Sequence, residues 1–173
     1  MFSTRPVQWT DFPELVDSYY SYYDEVKDNP EFGIIFFDTR PSLQQEVQWF
    51  TDLFRDVIEG KAVAIVGESN GKAVGLCDVR SLRPGTEQAH IGVLGITVRK
   101  EYRGKGIGKA MMTEAINRCR GKFEAIRLGV FESNLRAIRL YEELGFARYG
   151  TFPRSVKRGE TYHTEVLMYL NLK

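Results

Sequence analysis

Cysteine, histidine and net charge are all scarce in this chain, and each shortage excludes something. The two cysteines, Cys77 and Cys119, fall in different predicted elements with no metal-ligand spacing. Both read as small buried hydrophobes in a reducing compartment. His90 and His163 are the only histidines, too few for a histidine-rich site, so no metal is expected. A formal net charge of +1 over 173 residues removes any global electrostatic case for nucleic acid. No run approaches the ~18 apolar residues of a membrane span. The opening Met1-Phe2-Ser3-Thr4-Arg5-Pro6 lacks a hydrophobic signal region. The expectation is a cytoplasmic protein with neither nucleic-acid nor membrane partners.

Repeats, low-complexity linkers and shifts in composition are also lacking, so residues 1–173 are expected to form a single domain with a real core. What is present is a mixed α/β order. A short strand is predicted over 4–8. Asp11 is placed to cap a first helix carrying Leu15, Val16, Tyr19, Tyr20 and Tyr23, with Pro13 tolerated in its first turn. Ser42-Leu43-Gln44-Gln45 reads as a capping box, and Leu43, Val47, Phe50, Phe54, Val57 and Ile58 keep helical spacing behind it until Gly60. Strands follow at 62–66 and 73–80, turned by Gly67-Glu68-Ser69-Asn70-Gly71, and after a loop over 81–87 another at 89–98. Ile107, Ala110, Met111, Ala115, Ile116 and Cys119 give the next helix an apolar face. A strand at 125–130 leads to a helix capped by Ser133-Asn134 and stopped at Gly145, and 146–153 with 161–170 read as a closing hairpin. Strand meanders, two strand–helix units and a hairpin build an α/β (α+β) fold. Its sheet is mixed and mostly antiparallel, with six to seven strands flanked by about four helices.

The most informative stretch is Val98-Arg99-Lys100-Glu101-Tyr102-Arg103-Gly104-Lys105-Gly106-Ile107-Gly108. It joins a strand to a helix start through three glycines and several cations. Unpaired N–H groups and the positive end of the helix dipole suit a pyrophosphate there. Two nucleotide loops fail on spacing. A Walker loop aligned on Gly108-Lys109 puts Arg103 at its first glycine and Ala110 at its magnesium-ligating hydroxyl. A G-x-G-x-x-G fingerprint started at Gly104 or Gly106 meets Lys109 or Met111 at its last position.

What remains, Arg103-x-x-Gly106-x-Gly108, resembles the acyl-CoA pyrophosphate loop [RQ]-x-x-G-x-[GA] of the Gcn5-related N-acetyltransferase (GNAT) family. Asn134-Leu135-Arg136-Ala137-Ile138-Arg139-Leu140-Tyr141-Glu142-Glu143-Leu144-Gly145-Phe146 is similar to the family's second signature, N-x-x-A-[IR]-x-L-Y-x-x-x-G-F. The resemblance covers roughly 89–152. It implies an acetyl-CoA-dependent N-acetyltransferase, with a non-catalytic acyl-CoA-binding module as the alternative. Backbone groups of Ile96, Thr97 and Val98 would then pair with the pantetheine arm. The pyrophosphate would lie on the N–H groups of Gly104, Lys105, Gly106, Ile107, Gly108 and Lys109. Arg103, Lys105 or Lys109 would add charge, and Arg136 and Arg139 would face the ribose phosphate. Asn134 would contact the cofactor arm. Tyr141 would touch the leaving sulfur as general acid, since a phenol can hydrogen-bond or protonate a departing thiolate.

The base is not evident. An alkylamine has a pKa of about 10 and must lose a proton before attack, yet 90–97 holds no carboxylate. Glu87 and His90 stand near the start of that strand, His163 and Glu165 lie on the closing hairpin, and a water chain leading from a backbone carbonyl is a further route, so the base is left unassigned. The acceptor is expected to be a small-molecule or peptide amine: a polyamine, a lysine side chain or a protein N-terminus. Tyr19, Tyr20, Tyr22 and Tyr23 with Asp24, Glu25, Asp28, Glu31 and Asp38 would form an acidic, aromatic mouth for it. A homodimer is compatible with the sequence.

Overall fold

The computed structural model describes residues 1–173. Seven strands form one sheet in the order β1-β2-β3-β4-β5-β7-β6. They are β1 (Phe2–Pro6), β2 (Ala62–Ser69), β3 (Lys72–Ser81), β4 (Ile91–Val98), β5 (Ala125–Phe131), β6 (Ala147–Arg158) and β7 (Thr161–Asn171). Four α-helices flank them: α1 (Phe12–Asp28), α2 (Leu43–Ile58), α3 (Ile107–Cys119) and α4 (Leu135–Glu143). No helix is long and apolar enough to cross a membrane.

Two expectations shift for local reasons. The β2–β3 turn is tighter than the five residues predicted, because Asn70 and Gly71 both take positive φ, 52° and 74°. A two-residue Asn-Gly turn matches the strand twist, so β2 runs on to Ser69, opposite Lys72, through a bulge at Gly67/Glu68. Asp11 does not cap α1. Its backbone is already helical and its carboxylate binds Arg5, at 2.7 and 2.8 Å, and the Gln8 N–H. It thereby closes a single tighter turn over Trp9–Asp11. The Ser42–Gln45 capping box forms as the pattern predicts.

Side chains alternate across the strands, and the alternation separates two cores. Val63, Ile65, Cys77, Val79 and Leu94 pack with Met111, Met112, Ile138 and Tyr141 beneath α3 and α4. Ala64, Val66 and Leu76 pack with Leu15, Phe50 and Leu53 beneath α1 and α2.

All strand pairs are antiparallel except β4–β5. That parallel pair has only three register matches, Ile91↔Ala125, Gly92↔Ile126 and Val93↔Arg127. Beyond Val93 the two strands part company. β4 continues to Val98 along β3 alone, and β5 continues to Phe131 along β7 alone. One edge of the 94–98 backbone is thus left without a strand partner.

Candidate active site

The glycine loop leads from the open end of β4 into α3. Gly104 and Gly106 take φ of 83° and 86°, a region that side chains strongly disfavour. Gly106 is the N-cap of α3 and offers no side-chain cap. Consequently the N–H groups of Gly104, Lys105, Gly106, Ile107, Gly108 and Lys109 have no backbone acceptor. Six consecutive amides at the positive end of a 13-residue helix make an anion cradle.

The cations around the loop divide. The Arg103 guanidinium is committed to the protein. It grips both carboxylate oxygens of the half-buried Glu25, donates to the Val98 carbonyl at 2.7 Å and lies 4.6 Å above the Phe32 ring. Its role in this geometry is to tie the loop to α1. Lys109 pairs with Glu143 at 3.0 Å on the surface, and Lys105 sits 5.4 Å from the Tyr102 ring. Arg136, from α4, stands against Gly104: a Cβ there would lie 3.0 Å from its Nη2. The fold thus brings the second signature onto the first, as phosphate binding by both would require. Asn134 caps α4, its Oδ1 accepting from the Ala137 N–H at 3.2 Å.

Tyr141 belongs to the α3/α4 core, 8% exposed, with Phe146 at 6.0 Å between ring centroids. Burial, with a smaller push from Cys77, moves its pKa up to about 12. The phenol stays protonated at neutral pH and is available as a hydrogen-bond donor. Full transfer to a thiolate of pKa about 8.5 is uphill by about 5 kcal/mol, so the group is suited to stabilising a departing sulfur rather than protonating it outright. Cys77 is the cross-strand partner of Ile96, and both pack in the same core as Tyr141.

On the opposite sheet face lies a cavity of about 600 Å³ between α1, α2, β3 and β4. Gly95, Ile96 and Thr97 form part of its wall, with Tyr19, Tyr22, Phe37 and Trp49 as aromatic sides. The carboxylates lining it are Asp38, Glu46 and Asp78. Asp78 sits on β3 directly across from Gly95, its Oδ1 3.5 Å from where a Cβ of that glycine would be. Burial raises its pKa against the pull of Arg80, 3.2 Å away.

The base candidates and most of the acidic mouth lie elsewhere. Glu87 and His90 are exposed in the β3–β4 loop. His163 is buried, stacked 4.8 Å from the Phe131 ring and 3.6 Å from Glu31. Neither it nor Glu165 lines the cavity. Glu25 is held by Arg103, Asp24 pairs with Lys27 at 2.7 Å in solvent, and Glu31 accepts from Ser133. Of the expected acids only Asp38 reaches the cavity wall, as do Tyr19 and Tyr22 among the tyrosines. Asp78 and Glu46 were invisible as site residues. Asp78 looks like an ordinary polar position in an apolar strand, and Glu46 like a solvated helix charge. The only sequence signal was the apolar run around Asp78, where a carboxylate needs a reason.

The model of the Acetyltransferase (GNAT) family matches residues 9–146. An L-amino acid N-acetyltransferase of Escherichia coli is 31% identical over 77 residues, 43% of this chain and 48% of that protein. A spermine/spermidine N(1)-acetyltransferase of Bacillus subtilis is 41% identical over 51 residues, 28% of this chain and 34% of that protein. The matches thus span about half or less of these relatives. In structure, the chain is similar to a phosphinothricin acetyltransferase of Sinorhizobium meliloti in complex with AcCoA. The TM-score is 0.84 at 21% identity, covering 99% of this chain and 88% of that one.

Proposed function

Because the chain belongs to the acetyltransferase (GNAT) family, we propose that it is an N-acetyltransferase that moves an acetyl group from acetyl-CoA to a primary amine by direct attack in a ternary complex. One observation carries this reading. The unpaired stretch of β4 runs into the amide cradle, and its residues Gly95, Ile96 and Thr97 also wall the cavity. A donor laid along β4 and an acceptor in the cavity would meet on that strand.

Acetyl-CoA supplies the acetyl group as a thioester. Ile96, Thr97 and Val98 hold its arm through backbone groups, and the amides of residues 104–109 hold the pyrophosphate, with Lys105, Lys109 and Arg136 nearby. Arg103 fixes the loop against α1, and Asn134 stays at the start of α4 facing the arm. The acceptor nitrogen attacks the thioester carbon, the C–S bond breaks and an amide forms. Asp78 stands across from Gly95 in that part of β4 and takes the proton leaving the nitrogen. Its raised pKa brings it closer to the operating pH, which favours general-base work. Tyr141 donates a hydrogen bond to the sulfur.

A non-catalytic acyl-CoA-binding module drew its support from the lack of a carboxylate in β4. Asp78, one strand over, weakens that support. The test is thiol release from acetyl-CoA over a panel of amines, with the acetylated product identified by mass. CoA binding by calorimetry without thiol release from any amine would overturn the enzymatic reading.

A further inference from the structure

The acceptor cavity has an uneven charge balance. Asp38, Glu46 and Asp78 line it, and no lysine, arginine or histidine does. Asp78 has Arg80 beside it. Glu46 has nothing of the kind. It is 4% exposed, and its Oε1 is sealed from solvent with no hydrogen-bond partner. No ion pair reaches it from anywhere in the chain. A carboxylate buried without a partner is costly to the free protein. Burial alone accounts for the upward push on its pKa. Such a group in a cavity wall is complementary to a cation the protein does not itself provide.

The surrounding chemistry narrows that cation. Tyr19, Tyr22, Phe37 and Trp49 offer aromatic faces, which accommodate an alkyl chain and attract an ammonium. Asp78 and Glu46 come from different elements, β3 and α2, on the same cavity. Two separate carboxylates match two separate nitrogens. A free amino acid fits poorly, because its own carboxylate would face three acids with no lysine, arginine or histidine in the wall.

We infer that the acceptor is an aliphatic diamine or polyamine without a carboxylate, its distal ammonium held by Glu46 while the reacting nitrogen lies at Asp78. This rests on the N-acetyltransferase reading above and narrows its substrate class.

The test compares putrescine, n-butylamine and γ-aminobutyrate, which share a reacting amine and differ in the distal group. With the wild-type protein and acetyl-CoA, kcat/KM for putrescine is expected to exceed that for n-butylamine by about tenfold or more, with γ-aminobutyrate slowest. In Glu46→Gln the putrescine-to-butylamine ratio should fall about tenfold. Equal rates for putrescine and n-butylamine, or an unchanged ratio in Glu46→Gln, would overturn the inference. Calorimetry on the CoA-bound wild-type protein gives a second reading that needs neither turnover nor the variant: putrescine should bind and n-butylamine should not bind comparably. If no amine is acetylated, the enzymatic reading fails, and the calorimetric preference still decides whether Glu46 marks a dication site.

Discussion

The two halves of the proposed site are built from different material. The donor half is backbone: amides 104–109 and the free edge of β4, shaped by two glycines at positive φ. The acceptor half is side chain, gathered from α1, α2, β3, β4 and the segment between the helices. Backbone recognition can read any phosphate ester of the right shape and tolerates many neighbours. A side-chain cavity is specific because each wall residue comes from a separate element and carries its own charge or shape. The donor half therefore identifies a family, and the acceptor half distinguishes one member from another.

Four variants would break or sharpen that division. The largest effect is expected from Asp78→Asn, which should lower kcat/KM for an amine about 10²–10³-fold at neutral pH. The loss should shrink as pH rises toward the amine's own pKa of about 10, where the nucleophile sheds its proton unaided. Acetyl-CoA affinity by calorimetry should not change. A loss that is flat with pH would make Asp78 structural. Next, Tyr141→Phe should reduce kcat about 10–100-fold with acetyl-CoA affinity little altered, because the hydroxyl acts only as the sulfur departs. An unchanged kcat would remove Tyr141 from the mechanism. With its pKa raised to about 12, the phenol keeps its proton through neutral and mildly alkaline pH. The wild-type rate should therefore show no loss from tyrosine ionisation below about pH 10.

Gly106→Ala tests the donor half alone. A side chain at φ 86° costs about 1–2 kcal/mol, so acetyl-CoA affinity should fall up to about tenfold while the acceptor KM holds. A matching rise in acceptor KM would mean that the halves are not independent. The smallest effect belongs to Asp24→Asn combined with Asp28→Asn. Both residues are exposed and outside the cavity wall, and screened surface charges contribute little. The KM for a cationic acceptor should stay within about twofold. A large rise would restore the acidic mouth on α1 and demote the cavity.

Much of the fold was legible. The Ser42–Gln45 box, the helix face from Ile107 to Cys119 and the closing hairpin all follow from spacings of 3.6 or 2 within a few residues. The glycine loop between β4 and α3 was legible for the same reason, since its amides are neighbours in sequence. Other features were not. Asp11 looked like a cap because it precedes a helix, but Arg5, six residues back, claims its carboxylate. Arg103 looked like a phosphate contact because it opens the motif, but Glu25, far away on α1, takes its guanidinium. In both cases a nearby opposite charge, visible only after folding, won over the local pattern.

By itself the sequence determined the α/β architecture, the amide cradle and the placing of Asn134 and Tyr141 on one helix, because each depends on residues within a turn or a strand of one another. Only the tertiary structure decided which acids face the cavity. Pairing β3 with β4 set Asp78 across from Gly95, and packing α2 onto the same face buried Glu46 without a partner. Register and helix packing are long-range outcomes, and the charges that meet through them leave no mark on the local spacing of the chain.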